Sequence, residues 1–285
     1  MLDRYGRVIN YLRISVTDRC NLRCCYCMPE GVQDVGMKNI LTFEEIWEIV
    51  RTGVSLGITH IRITGGEPLV RKGCVNLIRG IREIPGVETI TMTTNGVLLG
   101  NYAKQLKEAG VSMYHENIET SEENFPNVCT THSFEDKIHE IKRIQEAGLE
   151  LCTGGIVGMG ETWKDRLSMA FTLAELGIRS IPINILIPVK GTPFGELEPM
   201  TQEDILRTVA ILRYINPKAD VRIAAGRNYF KDGGGELFLS GVNAALTGNL
   251  LTTGGSSMEQ DRNILEEKGY NPLVYRLFCL QSHYR

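Results

Sequence analysis

No apolar run in this sequence approaches the roughly 18 residues that a membrane-spanning helix requires. The first residues, Met1-Leu2-Asp3-Arg4, contain no apolar stretch of the signal-peptide kind. The sequence also has no excess of positive charge, because it contains 31 Lys and Arg but 34 Asp and Glu, which gives a net charge of -3. A broadly basic surface that would attract nucleic acid or anionic lipid is therefore not expected. Together these absences predict a cytoplasmic protein that binds neither nucleic acid nor a membrane.

Low-complexity segments and linkers rich in Pro or Ser are absent as well, and 42% hydrophobic residues among 285 are enough for a sizeable core. Hydrophobic periodicity predicts alternating strands and helices, with strands at residues 11–18, 60–64, 89–93, 112–118, 149–156, 180–187, 219–225 and 244–248. Eight strand–helix units favour an α/β fold, a (β/α)8 TIM-type barrel over residues 1–270, followed by a tail at 271–285 whose role the sequence leaves open. A dinucleotide-binding fold is less favoured, because no Gly-x-Gly-x-x-Gly motif follows the first strand.

Cysteines are concentrated in the loop that follows the first predicted strand. Cys20, Cys24 and Cys27 have the spacing C-x3-C-x2-C. Three thiolates on one short loop suit three corners of a [4Fe–4S] cluster, whose fourth iron would remain open to another ligand. Structural zinc would require a fourth protein ligand, which the neighbouring sequence does not offer. The remaining thiol of this loop, Cys25, is expected to pack or to face solvent.

The cysteine spacing, together with Tyr26 before the last cysteine and Gly65-Gly66-Glu67-Pro68 after the second strand, resembles the radical S-adenosylmethionine (SAM) enzymes. The resemblance implies that the open iron chelates the methionine part of SAM and that one electron releases a 5'-deoxyadenosyl radical. It also implies that Gly65, Gly66 and Glu67 help to hold SAM. Taken alone, such a glycine pair is more typical of a tight turn between a strand and a helix.

Residues 1 to about 110 resemble the GTP cyclase that begins molybdenum-cofactor synthesis. The matching segments are 12–21, 26–29, 64–69 and 92–96. The resemblance implies that Arg13 contacts a substrate phosphate and that residues from Thr93 to Asn95 line the SAM site. That cyclase has three further cysteines near its C-terminus, and this sequence has no such triplet.

Residues from about 114 to 269 are instead similar to biotin synthase. The matching segments include 114–121, 129–132, 152–162, 182–184, 190–193, 221–227 and 248–253, most of them at predicted strand ends. The resemblance implies that Asn117 and Asn184 hydrogen-bond the ureido ring of dethiobiotin, for which amide side chains offer both donor and acceptor. It also implies that Glu119 contacts the SAM ribose and that Arg227 lies beside an auxiliary iron–sulfur cluster.

The match to that auxiliary cluster is incomplete. Biotin synthase holds it with three cysteines and an arginine, and Cys152 and Arg227 match two of these four ligands. The other two cysteines belong on the second and third strands, where this sequence has Arg62-Ile63-Thr64 and Thr91-Met92-Thr93. One hypothesis is that Cys129 and Cys152 hold a different auxiliary cluster.

These observations predict biotin synthase-like sulfur insertion into dethiobiotin, with SAM and a [4Fe–4S] cluster as cofactors. Two alternatives stay open: GTP cyclisation, and a hybrid or recombined chain that binds a cluster without turnover. The expected partners are a dethiobiotin-like small molecule, or GTP in the first alternative, and a reducing electron-transfer protein. A homodimer is also left open.

Overall fold

The structure, a computed structural model, describes residues 9–27, 36, 39–247 and 258–270, and the backbone of 276–279. The predicted tail at 271–285 lies outside the described residues, apart from 276–279. None of the described helices is both long enough and apolar enough to span a membrane.

The strands of the described chain form one curled sheet in which every pair is parallel. They are β1 (Tyr11–Ser15), β2 (His60–Thr64), β3 (Thr89–Thr93), β4 (Val111–His115), β5 (Glu150–Cys152), β6 (Gly155–Val157), β7 (Ser180–Ile185), β8 (Asp220–Ala225), β9 (Ala244–Thr247) and β10 (Arg276–Cys279). Their spatial order is β1-β2-β3-β4-β5-β7-β8-β9-β10, with β6 beside β7. Nearly sequential order and parallel pairing confirm the predicted α/β fold of the TIM type.

Helices connect most successive strands. They are α1 (Phe43–Ser55), α2 (Cys74–Arg82), α3 (Leu99–Glu108), α4 (Phe125–Val128), α5 (Phe134–Glu146), α6 (Trp163–Glu175), α7 (Gln202–Ile215), α8 (Gly235–Leu239) and α9 (Met258–Glu267). Side chains that cap the first turn determine where three of these helices begin. Thr42, Ser133 and Thr162 each accept a hydrogen bond from the backbone three residues later, where an acidic side chain bonds back to the cap.

Side-chain alternation along the strands separates the apolar core from the interior of the curled sheet. On β2, Ile61 and Ile63 are fully buried and pack with α2 residues such as Leu77. Arg62 and Thr64 point to the opposite face, since successive side chains of a strand alternate. The apolar core therefore lies between sheet and helices, and polar side chains line the inside of the sheet.

The structure differs from the predicted strands at two places. The predicted strand 149–156 is two short strands, β5 and β6, separated at Thr153 and Gly154. At Gly154 the chain approaches β7 so closely that a Cβ would collide with the Pro182 carbonyl oxygen. Part of the predicted tail forms β10 beside β9. No pairing between β1 and β10 closes the sheet within the residues that the structure describes. The division into a domain at 1–270 and a tail stays a prediction.

Candidate active site

A cavity of about 840 Å3 opens at the carboxyl ends of β1 to β4. This is the edge of a parallel barrel where loops carry chemistry. Most of the predicted site residues line it: Cys20, Cys24, Tyr26, Cys27, Gly65, Gly66, Thr93, Asn95, Asn117 and Glu119. The remaining predicted residues, Glu67, Cys129, Cys152, Asn184 and Arg227, do not line this cavity.

The cysteine loop is held against the second strand by backbone hydrogen bonds that continue the β1–β2 ladder. Gly66 N donates to Thr17 O at 2.8 Å, and Glu67 N donates to Arg19 O at 2.8 Å. Within the loop, Leu22 N lies 3.4 Å from Cys20 Sγ. Amide donors of this kind stabilise a thiolate, so the loop fits a cluster bound through Cys20, Cys24 and Cys27.

The structure gives a reason for glycine at positions 65 and 66 that the sequence motif alone does not give. A Cβ at Gly65 would lie 2.6 Å from Thr17 O, and one at Gly66 would lie 2.6 Å from the Arg19 carbonyl carbon. The absent side chains therefore let the cysteine loop approach β2. Both glycines also line the cavity, where a ligand can approach their backbone.

Glu67 lies behind the cavity wall rather than on it. Its buried carboxylate accepts hydrogen bonds from Leu69 N at 2.9 Å, Thr94 Oγ1 at 2.9 Å and Asn95 N at 2.7 Å. Burial raises the pKa of this carboxyl group above its usual range. Glu67 therefore positions the loop after β3, and its predicted part in holding SAM stays a prediction.

Lys137 is a residue of this site that the sequence analysis missed. Its buried ammonium donates to Asn95 O at 2.5 Å and lies 3.1 Å from Glu116 Oε1. Asn95 in turn donates through Nδ2 to Asn21 Oδ1 at 2.8 Å in the cysteine loop. The spacing in the sequence does indicate that Lys137 is buried. It lies four residues before Ile141, so the two side chains share one face of α5, and that face is buried.

Three polar atoms at the cavity have no hydrogen-bond partner among the described residues: Thr93 Oγ1, Asn117 Oδ1 and Glu119 Oε2. Buried polar atoms are normally paired, and these three belong to residues that line the cavity, so a polar ligand bound there would be close to groups that still need partners. Glu119 also has a φ of 68°, which is uncommon for a residue other than glycine. Burial raises the pKa of its carboxyl group, which bonds Tyr26. This donor and acceptor set fits SAM.

The structure places Cys129 and Cys152 in different surroundings. Cys129 Sγ lies 3.8 Å from Cys24 Sγ, next to the cysteine loop. Cys152, on the inner face of the sheet, lies 2.7 Å from an Arg222 nitrogen and 3.5 Å from His115 Nδ1. Burial alone raises the pKa of the Cys152 thiol, but Arg222 and His115 lower that pKa to about 6. The hypothesis of a cluster shared by Cys129 and Cys152 receives no support from these contacts.

Arg222, and not the predicted Arg227, is the arginine that contacts Cys152 in the structure. Arg227 follows β8 and forms an ion pair with buried Asp261 of α9 at 2.5 Å. Arg222, five residues earlier on the inner face of β8, contacts Cys152 instead. Asn184, at the carboxyl end of β7, is half-buried, and its predicted contact with the ureido ring stays a prediction.

Replacing Cys129 with alanine is expected to leave the iron and sulfide content per chain unchanged, whereas Cys24→Ala loses both. The reason is that three thiolates of the loop satisfy three irons, whereas Cys129 donates a weak thiol hydrogen bond to Cys24 Sγ. Iron and sulfide are measured after anaerobic reconstitution, with Cys74→Ala, a buried cysteine of α2, as the matched control. Loss of iron from Cys129→Ala would make Cys129 a ligand. Unchanged counts in both Cys129→Ala and Cys152→Ala end the hypothesis of their shared cluster.

Comparison with known families agrees with this site. Residues 14–173 match the family model described as the radical SAM superfamily, and residues 182–271 match the biotin and thiamin synthesis associated domain. The chain therefore belongs to the radical SAM superfamily.

The chain is also similar to individual biotin synthases. It is 45% identical to biotin synthase of Clostridium beijerinckii, over 89% of this chain and 81% of that protein. It is 44% identical to biotin synthase of Alkaliphilus metalliredigens, over 93% of this chain and 86% of that protein. Within the superfamily, the chain belongs to the biotin synthase family.

Solved structures share the fold at lower sequence identity. Methylornithine synthase (PylB) superposes with a TM-score of 0.70 at 18% identity, over 93% of this chain and 83% of that one. HydG, a maturase of the [FeFe]-hydrogenase, gives 0.70 at 19% identity, over 93% of this chain and 64% of that one. The identities with the two biotin synthases confirm the resemblance to that family. Because the alignment with the Alkaliphilus protein covers 93% of the chain, it includes residues on both sides of Gly110. The cyclase resemblance of residues 1 to about 110 is not shown by these matches.

Proposed function

We propose that this chain is a radical SAM enzyme that inserts sulfur into a dethiobiotin-like small molecule. One observation carries the proposal. In a chain of the biotin synthase family, the C-x3-C-x2-C loop lines a cavity together with three residues whose buried polar atoms have no partner in the described part of the chain. Cys20, Cys24 and Cys27 would hold the [4Fe–4S] cluster. When both cofactors are bound, they supply a 5'-deoxyadenosyl radical that abstracts hydrogen from an unactivated carbon.

The protein contributes binding, orientation and exclusion of water. Thr93, Asn95 and Glu119 line the cavity and would offer hydroxyl, amide and carboxylate groups to the polar parts of SAM. Tyr26 is a half-buried residue of the cysteine loop and bonds Glu119. Asn117 Oδ1 has no hydrogen-bond partner within the described ranges, and we propose that it accepts a hydrogen bond from a ureido N–H. Asn184 is proposed as the second amide that contacts this ring.

Electron delivery requires a partner at the cysteine loop. Cys27 is exposed, so a reducing electron-transfer protein can approach the cluster at this edge. We propose that such a protein is the reductant, that the enzyme is cytoplasmic and that it associates as a homodimer.

The test is deoxyadenosine formation by anaerobically reconstituted protein with SAM and a strong reductant. Reactions contain dethiobiotin, GTP or neither, and iron per chain is measured in parallel. We expect dethiobiotin to increase deoxyadenosine, because its ring meets the amide groups of the cavity. An increase with GTP alone would favour the cyclase reaction. No deoxyadenosine from protein that holds its cluster would identify a cluster-binding scaffold instead.

A further inference from the structure

Cys129 holds its thiol against one of the three sulfurs that the cysteine loop offers to a cluster. Its Sγ donates a hydrogen bond to Cys24 Sγ over 3.8 Å. The two residues are 105 positions apart in the sequence, so the contact is made by the fold and not by a local motif. The fold therefore brings a thiol proton to a sulfur of the proposed cluster site.

Two backbone hydrogen bonds hold this contact in place. Cys25 N donates to Val128 O at 3.2 Å, which ties the chain neighbour of Cys24 to the chain neighbour of Cys129. Cys129 N donates to Phe125 O at 2.9 Å, at the end of α4. The position of the thiol relative to Cys24 is therefore supported by the backbone on both sides of the contact.

The surroundings of the Cys129 thiol are apolar. Its side chain is 2% exposed and belongs to a small buried cluster with Phe125, Val128, Ile156, Met159 and Leu186. A thiol suits this position because it packs like a small hydrophobic group and still carries one weak donor. A hydrogen bond in such surroundings is stronger than the same bond in water. The proton of Cys129 is thus directed at Cys24 and shielded from solvent.

The other two thiols of the loop have different neighbours. Cys20 Sγ lies 3.4 Å from Leu22 N and 3.7 Å from Asn95 Nδ2, so an amide of the backbone and an amide of a side chain face it. Cys27 is exposed to solvent. Cys24 is the thiol of this loop that a second, buried thiol contacts. The three sulfurs are therefore stabilised by three different kinds of donor.

The Tyr26 hydroxyl does not replace the thiol of Cys129 as a donor. Tyr26 forms side-chain hydrogen bonds with both Cys24 and Glu119. A hydroxyl group carries a single proton, so it donates to one of these two acceptors at a time. When the Glu119 carboxylate accepts that proton, the hydrogen bond from Cys129 still reaches Cys24.

We propose that Cys129 is a positioning residue whose thiol proton stabilises negative charge on Cys24 Sγ and so makes the [4Fe–4S] cluster easier to reduce. Reduction adds one negative charge to a cluster and its thiolates, and hydrogen bonds to the sulfurs favour that reduced form. Cys129 would act on the electron that SAM cleavage requires without binding iron itself. The inference rests on the proposed binding of the cluster by Cys24, and it does not depend on the substrate.

The first experiment is a redox titration of the anaerobically reconstituted protein, without SAM, followed by electron paramagnetic resonance of the reduced cluster. Cys129→Ala is expected to lower the equilibrium constant for one-electron reduction about threefold, which is a midpoint potential about 30 mV more negative at 59 mV per tenfold. Cys129→Val, which fills the space without a donor, is expected to shift the potential in the same direction. Cys129→Ser keeps a donor and is expected to recover at least half of the shift.

Cys74→Ala, a buried cysteine of α2, is the control and is expected to keep the wild-type potential. Equal potentials in the wild type and all Cys129 variants would overturn the proposal. An equal shift in Cys129→Ser and Cys129→Ala would assign the effect to packing, and loss of iron from these variants would make Cys129 a ligand; either result also overturns it.

A second measurement detects the proton directly. After exchange into D2O, pulsed resonance of the reduced cluster is expected to show an exchangeable deuteron in the wild type and in Cys129→Ser that is missing in Cys129→Val. Identical deuteron signals in the wild type and Cys129→Val contradict the hydrogen bond.

Deoxyadenosine formation with dethiobiotin is measured separately. Its absence beside the expected potentials rejects the proposed reaction and leaves the role of Cys129 standing. A wild-type protein that holds no iron after reconstitution contradicts both.

Discussion

A Gly66→Ala variant is expected to lose its iron–sulfur cluster and to form deoxyadenosine about a hundredfold more slowly, as displacement of a catalytic group by 1 Å commonly does. The added Cβ would lie 2.6 Å from the Arg19 carbonyl carbon, a distance that neither backbone can accept without moving. The segment that moves is the start of the cysteine loop, because Glu67 N bonds Arg19 O at 2.8 Å. Iron per chain, visible absorbance and deoxyadenosine measure the effect.

Gly53→Ala is the matched control. A Cβ at Gly53, inside α1, would lie 3.4 Å from Ile58 Cγ1, which is ordinary contact. Since alanine is the better helix former by roughly 1 kcal/mol, this variant is expected to keep its iron and to unfold at slightly higher urea. Full iron and activity in Gly66→Ala would show that the cysteine loop can shift without losing the cluster.

Strands with a regular pattern could be predicted to the residue. His60–Thr64 and Thr89–Thr93 have the predicted bounds, because buried aliphatic side chains alternate with polar ones in both. The prediction of a single strand at 149–156 was wrong, because the apolar residues of this segment continue past Gly154 and hide the interruption. The interruption lies where Gly154 approaches the Pro182 carbonyl of β7, a residue distant in sequence. Periodicity contains no information about such contacts.

The same limit applies to the site. Residues that belong to a local motif could be predicted, whereas contacts between residues distant in sequence could not. The cysteine loop and the residues after β2, β3 and β4 were predicted because each carries its own motif, and the fold brings them to one cavity. The choice between Arg222 and Arg227 could have been made from strand alternation, which places Arg222 on the strand and Arg227 after it. Lys137 contacts Asn95 across 42 residues of sequence, and no motif joins the two.

Lys137→Met is expected to lower the free energy of unfolding by about 3–5 kcal/mol, because it leaves the fully buried Glu116 carboxylate without its cation. The Asn95 carbonyl also loses its donor, so the loop beside the cysteines loosens and SAM affinity is expected to fall. Urea unfolding and SAM binding measure the two effects on the same protein. Lys142→Met, an exposed lysine on the same helix, is the control and is expected to change stability little.

The double variant Glu116→Gln/Lys137→Met separates the buried charge from the Asn95 contact. Removing both charges leaves no unpaired ion, so much of the lost stability is expected to return. SAM affinity is not expected to return with it, because methionine cannot donate a hydrogen bond to Asn95 O. If the double variant recovers SAM binding together with stability, Lys137 serves only to neutralise Glu116. If neither recovers, the loss comes from packing around α5 rather than from charge.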